Sequence, residues 1–524
     1  MDIVTRKNEE NRKLSQSNLN GLDNKLSELQ KFYDGKNVFV TGGTGFMGKM
    51  LIDKLLRTCP GIENIYLLVR PKKGKDIHTR LDEIFDDLVF ERLHEEVPKF
   101  RHKIVAIHGD CALAGLGLNL IDRQTLISNV QLVFHAAATV RFDEKLKLAV
   151  GINVCGTQEV LELCTHMTKL EVVMHVSTVY SNCHLRFIEE KFYKFPFHFN
   201  DLNRLIEKLD DKSLEEVTPT ILGKWPNTYT FTKALAEDVV RINGRNLPIG
   251  LFRPAIITSS VKEPVVGYID NLYGPTGVVY GAGTGVLRTM HCDRDVVANI
   301  VPVDMTVNAL IAASWDVAVN RERSTNTEDI PVYNYVSSVE KPLTWGEFTD
   351  YNIKYGFEQP FSSAIWYLSF HTHKTAMMHS IYVIFLHILP AMLIDSLALC
   401  VGQRPQLLKV YKKIHKFADV ISFFATNEWM FTNNNIQRMW NRLSVRDQAM
   451  FNFNMKTMDW VDYLHHYIPG MRKYLLKDDM STVEAARRKW NRFYWLHQML
   501  KTVLSLIILY FFWSTFSDYI YRCF

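Results

Sequence analysis

The chain has 524 residues, a net charge of +5, 47% hydrophobic and 22% charged residues. This is globular composition, with length for two or more domains and a large core. So small and evenly spread a positive excess excludes nucleic acid as the main partner. The eight cysteines form no CxxC pair, which excludes the usual zinc site and disulfide framework and fits a reducing compartment.

Residues 1–30, opening MDIVTRKNEENRK, are polar and lack the apolar stretch of a signal peptide, so they are expected as a flexible tail. The stretch VFVTGGTGFMG, Val38 to Gly48, is the most informative in the chain. Its apolar residues ending at Val40 suit a buried parallel strand. Gly42, Gly43, Gly45 and Gly48, with Thr44, Phe46 and Met47 among them, suit a tight turn with close backbone approach to a ligand, and LIDKLLRT continues with helical periodicity. A strand, a glycine turn and a helix N-terminus aim free amides at one point and make a pyrophosphate site. A plain glycine loop is the competing reading of this segment alone.

NIYLLVRP, Asn64 to Pro71, is a second strand. At its end a NAD-selective fold places an acidic residue for the ribose hydroxyls, whereas here stand Arg70, Lys72 and Lys73. Cations there favour a 2′-phosphate, hence NADP(H), against the alternative of a solvated basic loop. KIVAIHGD, Lys103 to Asp110, and LVFHAAATV, Leu132 to Val140, read as the third and fourth strands. Strands alternating with helices predict an α/β fold with a doubly wound parallel sheet. Ligands gather at the strands' C-terminal ends, where Asp110, Ala136 and Ala137 lie, the small side chains leaving room for a flat cofactor.

A helix beginning near Asn153 leads to a fifth strand, VVMHVST, Val172 to Thr178. A charged, helix-favouring insertion with EEKFYKF and LNRLIEKLDDKSLEE then ends in WPNTYTFTKALAE. Tyr229 and Lys233 are four apart and share a helix face. A tyrosine is a poor acid–base group at neutral pH, and a neighbouring ammonium stabilises its phenolate. Among 22 tyrosines a chance YxxxK is expected, so the weight rests on its position, opening the helix after the fifth strand.

With TGGTGFMG, HAAATVRF, HVSTVY, YTFTK and FRPAII in this order, the chain resembles the extended short-chain dehydrogenase/reductase superfamily. More narrowly it is similar to the eukaryotic alcohol-forming fatty acyl-CoA reductases through WPNTYTFTKALAE, EPVVGYIDNLYGPTG, GAGTGVLRTM, NIVPVDMTVNALIAASW and the C-terminal region, together covering about residues 31–475. The resemblance implies catalytic roles for Tyr229 and Lys233 and a hydroxyl partner at Thr178, with the adjacent Ser177 as the alternative. It implies that the glycines bind pyrophosphate, that Lys233 also bonds the nicotinamide ribose, and that NADPH is the cofactor. The implied reaction takes a long-chain fatty acyl-CoA through a hemithioacetal and a bound aldehyde to a primary alcohol, using two hydrides and releasing CoA. It needs no metal and no covalent intermediate. Asn299 departs from the pattern, which has aspartate there. Arg253 and Arg288 are candidates either for anion contacts or for structural ion pairs, and His135, His175 and His184 read as packing or loop residues.

These segments divide the chain into a reductase domain at 31–365, a helical domain at 366–490, and a basic flank with a membrane anchor at 491–524. Thr375 to Ile394 carries no formal charge and is long enough to span a bilayer. Its His379, His387 and Pro390, with Asp395 following, equally suit a buried or interfacial helix. Thr502 to Ser517 is shorter than the ~20 residues a span needs, but a snorkelling Lys501 and interfacial Tyr519 and Tyr521 extend it to about 499–521. Basic residues before it outnumber acidic ones, which keeps the enzyme body cytosolic on a peroxisomal or endoplasmic-reticulum membrane. Two rivals remain at this level. A membrane-bound 3β-hydroxysteroid or sterol dehydrogenase is disfavoured by the insertion before Tyr229 and by GYIDNLYGPTG. A catalytically silent NADP(H)-binding scaffold is disfavoured by the intact Thr178, Tyr229 and Lys233.

Overall fold

A computed structural model describes residues 3–20, 25–71, 74–323 and 330–523. Seven strands form the central sheet: β1 (Asn37–Thr41), β2 (Asn64–Val69), β3 (Ile104–His108), β4 (Leu132–His135), β5 (Val172–Val176), β6 (Ile249–Pro254) and β7 (Val332–Tyr335). Their order is β7-β6-β5-β4-β1-β2-β3, and every neighbouring pair is parallel. The doubly wound α/β fold expected from the alternating pattern is therefore present. Strands such as β1 and β5 are apolar almost throughout because helices cover both faces of the sheet. β1 lies between β2 and β4, so the chain departs in opposite directions from that point and leaves a crevice at the strands' C-terminal ends.

The strands stop earlier than the apolar runs suggest. β4 ends at His135, and Ala136–Val140 leave the sheet to pass over the glycine turn. Gly42 there has φ +77°, and a Cβ on it would lie 2.6 Å from the Ala137 amide nitrogen. Gly48, in the first turn of the helix Phe46–Thr58, would carry a Cβ into the Gly42 carbonyl and to 2.6 Å from the Gly43 Cα. These two glycines let helix, turn and β4 extension meet backbone to backbone.

The N-terminal segment differs from the expected flexible tail. Ile3–Asn20 is a helix, Val4 is fully buried, Lys7 pairs with Asp462 at 3.3 Å, and the Asn8 side-chain oxygen accepts the Val266 N–H at 2.7 Å. Its packing partner is the helix Trp460–Gly470, far away in sequence, so local composition carried no sign of it. Ser27 then caps Glu28–Tyr33 in a reciprocal box with Gln30.

The charged insertion forms the helices Phe199–Lys208 and Asp211–Leu222. Two apolar cores flank the sheet: one, on the face of Val38, Val40 and Phe134, extends from Val4 to Tyr474, and the other, on the face of Phe39, Val133 and Val173, packs under Leu161, Phe231 and Leu235. Among the described residues two helices are long and apolar enough to cross a membrane, Ala376–Cys400 and Met480–Ser517. The first is tied to the protein body. The Asp395 carboxylate accepts the N–H groups of Gln406, Leu407 and Leu408 at 2.9–3.0 Å, capping the helix Leu407–Thr426, and His387 accepts the Arg288 N–H at 2.9 Å. The second leaves the body beyond an aromatic collar, where Trp490 lies 4.6 Å from Tyr367 and Phe493 6.0 Å from Trp366, and its apolar residues are exposed from there on.

The glycine packing predicts that Gly48→Ala, which cannot fit without opening the turn, lowers unfolding stability by about 1–3 kcal/mol in a urea titration.

Candidate active site

The helix Thr228–Asn243 begins where the Asn227 side-chain oxygen accepts the Thr230 N–H at 2.9 Å. This cap sets Tyr229 in the first turn and Lys233 one turn further along the same face. Lys233 is buried, and its Nζ donates to the Val176 carbonyl at the end of β5 at 2.8 Å. Thr178 follows two residues later. Its hydroxyl oxygen accepts the Tyr180 N–H at 3.3 Å, the hydroxyl donates to the Pro254 carbonyl at 3.4 Å, and Thr178 is the side chain whose hydrogen bonding acts on the Tyr229 phenol. The site is built from the end of β5 and the first turns of one helix.

Burial dominates the electrostatics. It pushes the Tyr229 phenol up to about 12, against the pull of the Thr178 hydrogen bond. It also lowers the Lys233 ammonium to about 8, with the Glu237 charge opposing. The expected lowering of the tyrosine by its lysine is not seen: burial raises the phenol, and the Thr178 hydroxyl is what opposes it.

Ser177 faces elsewhere. Its hydroxyl donates to Glu237 at 2.5 Å, and Glu237 pairs with the fully buried Arg253 at 2.6 Å. Arg253 also donates to the Glu189 and Lys191 carbonyls at 3.2 and 3.1 Å. This closed cluster takes Arg253 out of reach of a substrate anion and leaves Thr178 as the hydroxyl beside Tyr229. Arg288 lies over the Trp366 ring, 5.5 Å from its centroid. The buried His135 is bonded to Thr41 and Thr157 at 2.7 and 3.0 Å and is held neutral by burial, its pKa lowered to about 3. His175 packs 5.2 Å from it, and His184 sits edge-on to Trp225 at 4.7 Å.

Two residues of the site escaped the sequence reading. Asn153 lies in a π-helical turn, Gly151–Cys155, a distortion that often marks function. Its side chain accepts the Thr139 N–H at 2.8 Å and donates to the Thr139 carbonyl at 3.1 Å and to Thr232 at 2.9 Å. It thereby ties the β4 extension to the helix Thr228–Asn243. Arg80, on the helix Ile77–Phe85, donates to the Arg70 carbonyl and reaches the Thr44 hydroxyl at 3.4 Å. Two guanidinium groups therefore converge at the end of β2, since the exposed Arg70 side chain lies 3.8 Å from Asp110. Lys72 and Lys73 lie outside the described residues. Ala136 and Ala137 donate to the Thr41 carbonyl and hydroxyl at 3.2 and 3.3 Å, fixing the small segment against the glycine turn of Gly42, Gly43, Thr44 and Gly45.

A profile described as male sterility protein matches residues 40–310, and a second of the same description matches residues 386–478. A fatty acyl-CoA reductase of Drosophila melanogaster, wat, is 43% identical over 90% of this chain and 90% of its own length. Fatty acyl-CoA reductase 1 is 38% identical in Gallus gallus and 36% in Homo sapiens, each over 92% of this chain and 93% of its own. The chain belongs to the fatty acyl-CoA reductase family. Among solved structures, a reductase domain of a Mycobacterium tuberculosis non-ribosomal peptide synthetase superposes with TM-score 0.55 at 16% identity, over 86% of this chain and 96% of its own. The terminal reductase domain of the myxalamid pathway superposes with TM-score 0.53 at 18% identity, over 86% and 95%. Both show the fold alone.

In this fatty acyl-CoA reductase an aromatic path leads away from Tyr229. Phe142 lies 5.7 Å from it, and Phe424 of the helix Leu407–Thr426 stacks on Phe142 at 5.5 Å. The C-terminal helices thus form one wall of the site.

Two outcomes follow from the buried charges. Arg253→Met leaves Glu237 buried and unpaired, and lowers stability by about 3–5 kcal/mol in denaturant titration. For Lys233 the folded pKa of about 8 lies below the ordinary 10.5. Between those pH values the unfolded chain binds more protons, so this residue's contribution to stability rises with pH. Comparing wild type with Lys233→Met at both ends of that window shows the rise in the wild type and its loss in the variant.

Proposed function

We propose that this reductase converts a long-chain fatty acyl-CoA to a primary fatty alcohol with release of CoA, using NADPH and a bound aldehyde intermediate at a single site. The observation that carries the reading is the meeting of Thr178, Tyr229 and Lys233 at the end of β5, beside the crevice flanked by the glycine turn. The crevice suits a dinucleotide. Gly42 and Ala137 approach so closely that a Cβ would fill the gap, and the free amides of the helix Phe46–Thr58 point at the turn. Gly42, Gly43, Thr44, Gly45, Phe46, Met47 and Gly48 would hold the pyrophosphate, and Ala136, Ala137 and Asp110 would border the rest. Arg70 and Arg80 supply cations suited to a 2′-phosphate, which favours NADPH over NADH. Bound NADPH supplies the hydride.

Tyr229 polarises the thioester carbonyl and donates its phenolic proton to the oxygen as negative charge develops there. Its high pKa suits an acid that stays protonated at neutral pH. Thr178 orients that phenol. Lys233, cationic below about pH 8, adds positive charge behind the phenol and offers a hydrogen-bond donor to the cofactor's ribose. The hemithioacetal returns its hydroxyl proton to the Tyr229 phenolate as the C–S bond breaks and CoA leaves with a proton from solvent; a second NADPH then takes the place of NADP⁺, and the aldehyde carbonyl meets the reprotonated phenol. The helix Val483–Cys523 anchors the enzyme, its basic flank holding the catalytic body on the cytosolic side of a peroxisomal or endoplasmic-reticulum membrane. A long-chain acyl-CoA partitions into that membrane, so the anchor places catalyst beside substrate.

Membranes carrying the wild type, given NADPH and palmitoyl-CoA, should yield hexadecanol and free CoA. Tyr229→Phe should lower that rate by about 10²–10⁴ while retaining cofactor binding. No alcohol from the wild type would refute the reading, and turnover of a sterol with NAD instead would favour the dehydrogenase. Arg80→Ala should raise KM for NADPH about tenfold without raising that for NADH.

A further inference from the structure

A cavity of about 740 Å³, counting its open mouth, lies between the helices Pro275–Gly283, Trp345–Glu358 and Leu407–Thr426. No charged residue lines it. Such a space does not suit the phosphates of CoA or of a dinucleotide, since an unpaired charge there loses its hydration without compensation. Its walls are Val279, Met290, Phe348, Leu368, Phe370 and similar side chains, so the occupant it fits is a neutral hydrocarbon.

The helix Leu407–Thr426 connects this cavity to the catalytic tyrosine. Ile421, Phe424 and Ala425 are spaced on one buried face. Ile421 and Ala425 line the cavity, while Phe424 stacks on Phe142, which in turn packs against Tyr229. Phe142 and Phe424, both uncharged, are thus the side chains that stand between Tyr229 and the cavity's helix.

We infer that this cavity is the acyl-chain site and that Gly356 sets the length of chain it accepts; the inference rests on the acyl-CoA reading above and names where the hydrocarbon lies. Gly356 sits in the helix Trp345–Glu358 and lines the cavity, and a Cβ added to it meets only the Leu368 Cδ1, at 3.7 Å, an ordinary contact. The absent side chain leaves volume inside the cavity at no cost to the backbone. By contrast, a Cβ on Gly283, also in the lining, would lie 2.6 Å from the Phe361 ring, so that glycine serves packing.

The test is a kcat/KM profile over lauroyl-, myristoyl-, palmitoyl- and stearoyl-CoA for the full-length membrane protein. Gly356→Leu should lower the stearoyl-to-lauroyl ratio by about tenfold or more, as expected when a hydrophobic pocket loses methylene-sized room. Ile353→Ala, which enlarges the same wall, should move the ratio the other way, and it covers the case in which the leucine variant fails to fold. Unchanged ratios in folded variants would overturn the acyl-site assignment while leaving the reductase reading intact. A wild type that reduces none of the four thioesters would instead overturn that reading.

Discussion

The structure depends on one close approach. Gly42 and the backbone of Ala136–Ala137 come together with no room for a Cβ between them, and Gly48 brings the following helix onto the same turn. That contact joins β1 to β4 where the chain changes direction, and so creates the crevice in which a cofactor can lie against free amides. Any side chain at these positions separates the two strand ends. The chemistry expected of the crevice needs them together, because the catalytic helix is tied to the same β4 extension through Asn153.

The side chains proposed for catalysis are placed by buried polar groups rather than by surface charge. Lys233 is fixed to the Val176 carbonyl, and Ser177, Glu237 and Arg253 form a closed unit beneath it. Burying those charges costs solvation, yet the cluster holds β5, β6 and the helix Thr228–Asn243 in one register. Thr178 is thereby turned toward Tyr229. Burial keeps the Tyr229 phenol protonated at neutral pH.

The first five strands were legible in the sequence because strands buried on both faces read as uninterrupted apolar runs. β6 and β7 were not singled out as strands, since Gly250 and Pro254 interrupt the former and the latter is only Val332–Tyr335. The glycine turn and the Tyr229–Lys233 spacing were readable from local pattern. Which way Ser177 and Thr178 point was not, because neighbours at a strand end point in opposite directions and the partner of Ser177, Glu237, is distant in sequence. Arg80 and the N-terminal helix escaped for the same reason: each is defined by a tertiary partner, the Arg70 carbonyl in one case and the Trp460–Gly470 helix in the other. The membrane-length helix Ala376–Cys400 left its two readings open in sequence, and its contacts through Asp395 and His387 bind it to the body.

Two hydride transfers at one tyrosine are the core of the proposed chemistry. The most direct measurement is product analysis by mass spectrometry after turnover of palmitoyl-CoA with NADPH deuterated at the transferable position of C4. Two deuterium atoms on the carbinol carbon of the alcohol, with one CoA released per alcohol, are the predicted result. A singly labelled alcohol, or free aldehyde accumulating as the end product, would contradict it.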